Sequence, residues 1–206
     1  MLQRMLKEVP FTEIRIAGFG GQGVILAASV IGKAAAIFQG AFATMTQSFG
    51  PEARGGSSSA QVILSSEPIL YPYITRPDVL VVMSQEAYTR FAPELKPGGI
   101  LIIERELVRV DRYPAGVRAY GVPATRLAEE LGRKVVLNIV MTGFFGAVAN
   151  LLDPDALRQA VADSVPPALQ KLNLQAFDKG FEYGSNLLAT LENGINEPLL
   201  SAVEAE

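Results

Sequence analysis

The chain is 206 residues long, with 49% hydrophobic and 19% charged residues and a formal net charge of −3. That balance excludes intrinsic disorder and gives no general electrostatic grip on nucleic acid or an anionic membrane. The sequence has no cysteine and no histidine, which excludes a thiolate-held metal or iron–sulfur cluster, a disulfide framework and any Ser–His or Cys–His nucleophile within this chain.

In chain order, Met1 to Pro10 lacks the apolar run of a signal peptide. Glu13–Ala17 reads as a strand that ends in the turn Gly18-Phe19-Gly20-Gly21-Gln22-Gly23, and an apolar helix follows over 24–38. Gly40–Thr46 reads as the next strand. Gln47 to Ser59 reads as a long glycine- and serine-rich loop, and Ala60–Leu64 as a strand beyond it. Asp78–Met83 and Ile100–Ile103 are strongly apolar strands, separated by a short helix at Gln85–Phe91 and the turn Pro97-Gly98-Gly99. Val117–Tyr120 is a short strand and Pro123–Leu131 a helix. Val135–Leu152 is a long helix without a charge over its eighteen positions, read as buried or interfacial because its polar and glycine residues argue against a membrane span. Asp153-Pro154 opens another helix, and the last runs over 167–191.

Apolar strands alternating with helices indicate an α/β fold with three α/β/α layers, a mixed and mainly parallel sheet of Rossmann-like kind, and extra C-terminal helices. One domain over 1–192 and an acidic tail over 193–206 are expected, because every charge after Gly180 is a glutamate. Between Arg15 and Glu52 the only charge is Lys33. Two helices without a polar face, 24–38 and 135–152, therefore predict an extensive subunit interface, the alternative being well-covered central helices within one domain.

The turn Gly18-x-Gly20-x-x-Gly23 has the spacing and the strand-to-helix setting of a dinucleotide fingerprint. The acid that would hold a ribose some 20 residues on is missing: 36–42 read AIFQGAF. Backbone amides for a phosphate, or glycine for turn geometry alone, are the remaining readings. The second loop carries Gly50, Pro51, Glu52, Arg54, Gly55, Gly56 and Ser57, in which Arg54 could clamp a phosphate or carboxylate or simply sit beside Glu52. Tyr71, Tyr73, Arg76, Asp78 and Glu104 read as solvated residues near strand ends, and Lys96 as a turn residue. No catalytic residue and no metal site are assigned.

FGGQGVILAASVIGKAA, then TQSFGPEARGGSSSAQVILSSEPILYP, DVLVVMSQEAYTRF and LKPGGILI, together resemble the gamma subunit of 2-oxoacid:ferredoxin oxidoreductases, over roughly 13–150. The resemblance implies a cytoplasmic, multisubunit enzyme of anaerobic metabolism, inactive as this chain alone. Such an enzyme oxidatively decarboxylates a 2-oxoacid with coenzyme A and reduces ferredoxin. It also implies alpha, beta and delta partner subunits, with thiamine diphosphate and the iron–sulfur clusters held mainly by them. Carried over by motif, the cofactor-facing residues are Gly18, Gly20, Gly21, Gln22, Gly23, Gly50, Pro51, Glu52, Arg54, Gly55, Gly56 and Ser57, with coenzyme A as the expected contact. The single-chain pyruvate relatives place a lysine in the early turns of the first helix, where this sequence has Ala27, Ala28, Ser29 and Val30. That departure and the wording of TQSFGPEARGG point to the 2-oxoglutarate branch. A stand-alone nucleotide-dependent oxidoreductase, a purely structural subunit and a homodimer of the isolated chain are the alternatives.

Overall fold

A computed structural model describes residues 8–50, 56–111 and 114–193. Six strands form one sheet: β1 (Thr12–Phe19), β2 (Phe42–Phe49), β3 (Ser57–Ser65), β4 (Val79–Val82), β5 (Ile100–Glu104) and β6 (Arg118–Val122), in the order β2-β3-β1-β4-β5-β6. β1, β4, β5 and β6 pair in parallel. β3 runs antiparallel to both β1 and β2, so it is the one reversed strand of a mixed sheet. β4 and β5 are buried along their whole length, as Val- and Ile-rich strands covered on both faces should be.

Alternation along β1 sends Ile14 and Ile16 into one core and Ala17 into the other. The first and larger core lies under α1 (Val24–Lys33), α4 (Leu137–Ala149), α5 (Pro154–Asp163) and α6 (Pro167–Glu192), with α3 (Ala124–Glu130) beside α4. A five-residue wide turn, Ala34–Phe38, prolongs α1. The second core lies under α2 (Gln85–Phe91), the one helix on that face among the described residues. α2 begins at Ser84, whose hydroxyl accepts the Ala87 N–H and so caps the helix at the end of β4.

α4 and α6 cross at backbone contact. A Cβ on Gly143 would overlap the Phe177 carbonyl, and one on Gly180 the Val140 carbonyl. Ala176, Gly180 and Gly184, spaced by four, form the small face of α6 that permits this approach. Phe144, Phe145 and Phe177 fill the space around the crossing and are among the largest fully buried side chains, each contributing roughly 1.5–3 kcal/mol by burial.

Three expectations are corrected. The helix at 135–152 is not an interface: twelve of the thirteen residues of α4 are buried, beneath α6, α5, α3 and the sheet of the same chain. α1 is likewise mostly covered internally, although Ile37 in the turn after it is 70% exposed. Both ends of the loop placed at 47–59 are strand instead, because the β2–β3 pairing continues to Phe49↔Ser58 and Gly50 N–H still reaches the Ser57 carbonyl at 2.7 Å. Glu104 is wholly buried rather than solvated. Asp78 and Lys96 join Glu13 in an ion-pair cluster at the start of β4, with Lys96 Nζ 2.8 Å from Asp78 and 2.9 Å from Glu13. Burial opposes the Lys96 charge, but hydrogen bonds to both carboxylates outweigh it and hold its pKa above the ordinary lysine value. The acidic tail from 194 onward lies outside the described residues.

Candidate functional site

The chain leaves β1 through α1 toward β2 on one side, and later returns to β4 on the other. The strand order therefore switches outside the carboxyl end of β1, which is where open α/β sheets place ligands. The first glycine loop lies there, with Gly50 and Gly56, the described ends of the second, beside it.

The first loop is held from inside. Gln22 folds back so that its Oε1 accepts the Phe19 N–H at 2.6 Å while its Nε2 donates to the Met83 carbonyl at 2.8 Å, stapling the end of β1 to the end of β4. Glycine at 18 is required for this, because a Cβ there would meet Gln22 Oε1 at 2.5 Å. Gly21 (φ 95°) and Gly23 (φ 74°) occupy the left-handed region that glycine tolerates at little cost. Gly23 is also pressed against Asn138, the first polar residue of α4, whose Nδ2 donates to the Gly23 carbonyl at 3.2 Å. Gly20 N–H donates to the Gly56 carbonyl at 2.7 Å and ties the first loop to the second. Two amides that a pyrophosphate would use, those of Phe19 and Gly20, are thus spent on protein acceptors.

A cleft of about 210 Å³ opens beside this junction. Gly18 and the ends of β2 and β3 form one wall: Ser48, Phe49, Gly50, Ser57, Ser58 and Ser59. α2 forms the other with Glu86, Ala87, Arg90 and Phe91. Of the residues expected at the site, Gly18, Gly50 and Ser57 line the cleft. Gly20, Gly21, Gln22 and Gly23 build the turn next to it and do not line it. Gly56 is the tie between the loops. Pro51, Glu52, Arg54 and Gly55 lie outside the described residues.

Sequence reasoning missed the α2 wall. Arg90 lies over the Phe91 ring, 5.0 Å from its centroid, and makes no hydrogen bond or ion pair among the described residues. Arg15 packs on the same ring at 4.5 Å and pairs with Glu94. Spacing gave one usable signal: Glu86 and Arg90 stand four apart on a short helix immediately after a central strand, at the end of the sheet where ligands bind. Glu104, at the end of β5, is structural: its carboxylate accepts the Glu106, Leu107 and Thr125 N–H groups at 2.9, 2.6 and 3.1 Å. Burial outweighs these bonds and raises its pKa above the usual glutamate value.

The cleft suits an anionic group of phosphate size, with the Arg90 guanidinium, unpaired among the described residues, and serine hydroxyls to receive it and the Glu86 carboxylate on the opposite count. The chain itself has no thiolate for an iron–sulfur cluster. Among the described residues no group of three acidic side chains could hold a metal ion, and no helix is long and apolar enough to cross a membrane.

Comparison with known proteins agrees with this architecture. The 2-oxoglutarate synthase subunit KorC of Methanocaldococcus jannaschii is 44% identical over 177 residues, 85% of this chain and 95% of that protein. The gamma subunit of a keto/oxoacid ferredoxin oxidoreductase from Geobacter sulfurreducens has a structure that superposes with a TM-score of 0.74 at 37% identity, over 84% of this chain and 98% of that one. The 2-oxoglutarate:ferredoxin oxidoreductase of Magnetococcus marinus, solved with 2-oxoglutarate, coenzyme A and succinyl-CoA bound, superposes at 0.77 and 29% identity over 87% of this chain, which spans only 32% of that longer polypeptide. The family model for pyruvate ferredoxin/flavodoxin oxidoreductase matches residues 13–183. With the mixed sheet, the paired glycine loops and this match over most of its length, the chain belongs to the pyruvate ferredoxin/flavodoxin oxidoreductase family.

Proposed function

We propose that this chain is the gamma subunit of a 2-oxoglutarate:ferredoxin oxidoreductase, and that its two glycine loops and the α2 wall help to bind coenzyme A. The observation that carries the assignment is the 44% identity to a 2-oxoglutarate synthase subunit over 95% of that subunit's length. Thiamine diphosphate and the iron–sulfur clusters belong to the partner subunits, consistent with a sequence that has no cysteine, no histidine and no acid–base pair poised for chemistry. Coenzyme A supplies the thiol that receives the acyl group. This chain's part is to receive a phosphate of it: Arg90 as a cation already desolvated on one side by Phe91, and the serine hydroxyls of Ser57 and Ser59 as further donors; Arg54 of the second glycine motif, outside the described residues, is proposed as a second cation.

A stand-alone nucleotide enzyme is the weaker reading. The ribose acid is missing, and the amides of Phe19 and Gly20 are already bonded within the protein. The test is the complex reconstituted from all its subunits and assayed with a panel of 2-oxoacids, first as wild type and then with Arg90→Ala and Arg54→Ala. The highest kcat/KM is expected with 2-oxoglutarate. Each alanine variant should raise the KM for coenzyme A about 10-fold or more while leaving the KM for 2-oxoglutarate unchanged, the loss of one charged hydrogen-bond donor being worth about 1.5–3 kcal/mol. Unchanged coenzyme A kinetics in both variants would leave this chain a purely structural role.

A further inference from the structure

The two faces of the sheet are unequally covered. α1, α4, α5 and α6 enclose one face, whereas α2 packs on the other mainly over β1 and β4. Over β2 and β3 that second face carries Phe42, Thr44, Thr46 and Ser48 opposite Ser65, Ile63, Gln61 and Ser59. Among the described residues it is overlaid by the crossing segment between β3 and β4, whose Ile74 and Thr75 N–H groups donate to Gln61 and Glu13. Gln61 joins the two: its Oε1 accepts the Ile74 N–H at 3.1 Å and lies 3.5 Å from the Thr46 hydroxyl.

We infer that this half-covered face, formed by β2 and the segment 68–75, is where the subunit carrying the rest of the 2-oxoacid machinery docks. The inference rests on the assignment as a gamma subunit. Two stretches without any charge, 42–50 and 68–75, meet here, whereas exposed protein surface is normally interspersed with charge. The exposed side chains are of the type that anchors interfaces. Leu70 is 95% exposed, Tyr71 66%, Tyr73 56% and Phe42 46%. The Tyr71 and Tyr73 rings brace each other edge to face at 5.5 Å, so little side-chain freedom is left to lose on binding. β2 is an open sheet edge of eight residues with no charge and no proline, the devices by which proteins protect an edge that meets only water. The other edge, β6, is five residues long, begins at Arg118 and runs directly into Pro123.

The occupant is a protein of mixed apolar and uncharged polar surface. Its identity is argued from the longer relative: the same fold there is about one third of a single polypeptide, so the remaining two thirds are tethered beside this domain at high effective concentration. In the separate gamma subunit the equivalent mass is another chain. The coenzyme A cleft continues from the same face, with Ser48 and Ser59 in its wall. A subunit seated on β2 and β3 therefore closes the open side of that cleft, which makes the site complete only in the assembly.

The experiment is a titration of this chain against the purified alpha and beta subunits, as wild type and as Tyr71→Asp/Tyr73→Asp. Leu70→Asp is a second variant at a side chain that touches almost nothing. Circular dichroism and thermal unfolding of each variant alone first establish that it is folded. The expected result is a folded chain that binds the other subunits roughly thirty-fold more weakly, the loss of one hot spot. Wild-type affinity in folded variants overturns the inference. So does a variant that loses self-association yet still binds alpha and beta normally, because the face would then be a contact between copies. Wild-type chain that fails to bind those subunits at all overturns the gamma-subunit reading as well, which keeps the two failures distinct.

Discussion

α4 and β2 are equally poor in charge and meet opposite fates. Residues 135–152 contain no charged side chain, and α4 is buried nearly throughout. Residues 34–50 contain none either, and β2 is mostly exposed or half-buried. Lack of charge therefore says only that a segment is covered by something. What decides between the interior and a partner is whether the chain supplies a matching surface of its own. For α4 it does: the small residues 176, 180 and 184 of α6 let the two backbones touch. For β2 the match is partial: α1 covers one face, but among the described residues the outer edge and much of the other face stay open.

The most damaging change to this contrast is Gly180→Leu. A side chain there has nowhere to go, because its first carbon would already overlap the Val140 carbonyl, and backbone cannot yield as a flexible side chain can. The α4–α6 crossing should separate, taking with it the packing of Phe144 and Phe177. A loss of more than about 4 kcal/mol is expected, beyond ordinary overpacking, read as loss of a cooperative thermal transition or of soluble protein. A variant that unfolds within a few degrees of wild type would mean that the crossing is looser than described.

Glu104 sharpens the contrast from the other direction, since it is a charged residue inside. Both carboxylate oxygens accept backbone N–H groups, so Glu104→Gln turns an amide nitrogen toward a donor and should cost about 1–3 kcal/mol in denaturant unfolding. The pH dependence has a definite sign. Burial raises the folded-state pKa above the unfolded value, so the folded protein binds the proton more tightly. This group's contribution is fully present below the unfolded pKa and is lost as pH rises through the folded one. The stability gap between wild type and Glu104→Gln should therefore narrow as pH rises from the ordinary glutamate range toward neutrality. A gap that widens instead would mean that the three N–H groups, not burial, dominate this site.

Much of this was legible in the sequence. Alternation and apolar runs located β1, β4, β5 and α2 within a residue or two, and the reversed strand followed from two strands with no helix between them. The glycine turn was found, but its physical cause was not. Gly18 and Gln22 serve each other, and that depends on Met83, 61 residues further on. Glu104 and the α4–α6 crossing were missed for a related reason. Neither a buried carboxylate nor a four-residue spacing of small side chains is diagnostic until the partner element is in place. The α2 wall of the cleft, with Arg90, comes from a segment that local pattern reads as an ordinary short helix.

The smallest expected effect tests the open side directly. Phe42 stands at the start of β2, 46% exposed, opposite Ser65. If the β2 face belongs to a partner, the isolated chain gains little from this aromatic ring, and a lysine with its head in water should replace it at a cost within about 0.5 kcal/mol, the usual limit for a surface change. An edge strand also tolerates lysine better than any interior position, because a charge there blocks strand-to-strand aggregation. The unfolding midpoint of Phe42→Lys should stay close to that of wild type, and the variant should be no less soluble. A loss of 2 kcal/mol or more would place Phe42 in the core of the isolated chain, and β2 would then resemble α4 after all: a segment whose cover the chain provides for itself.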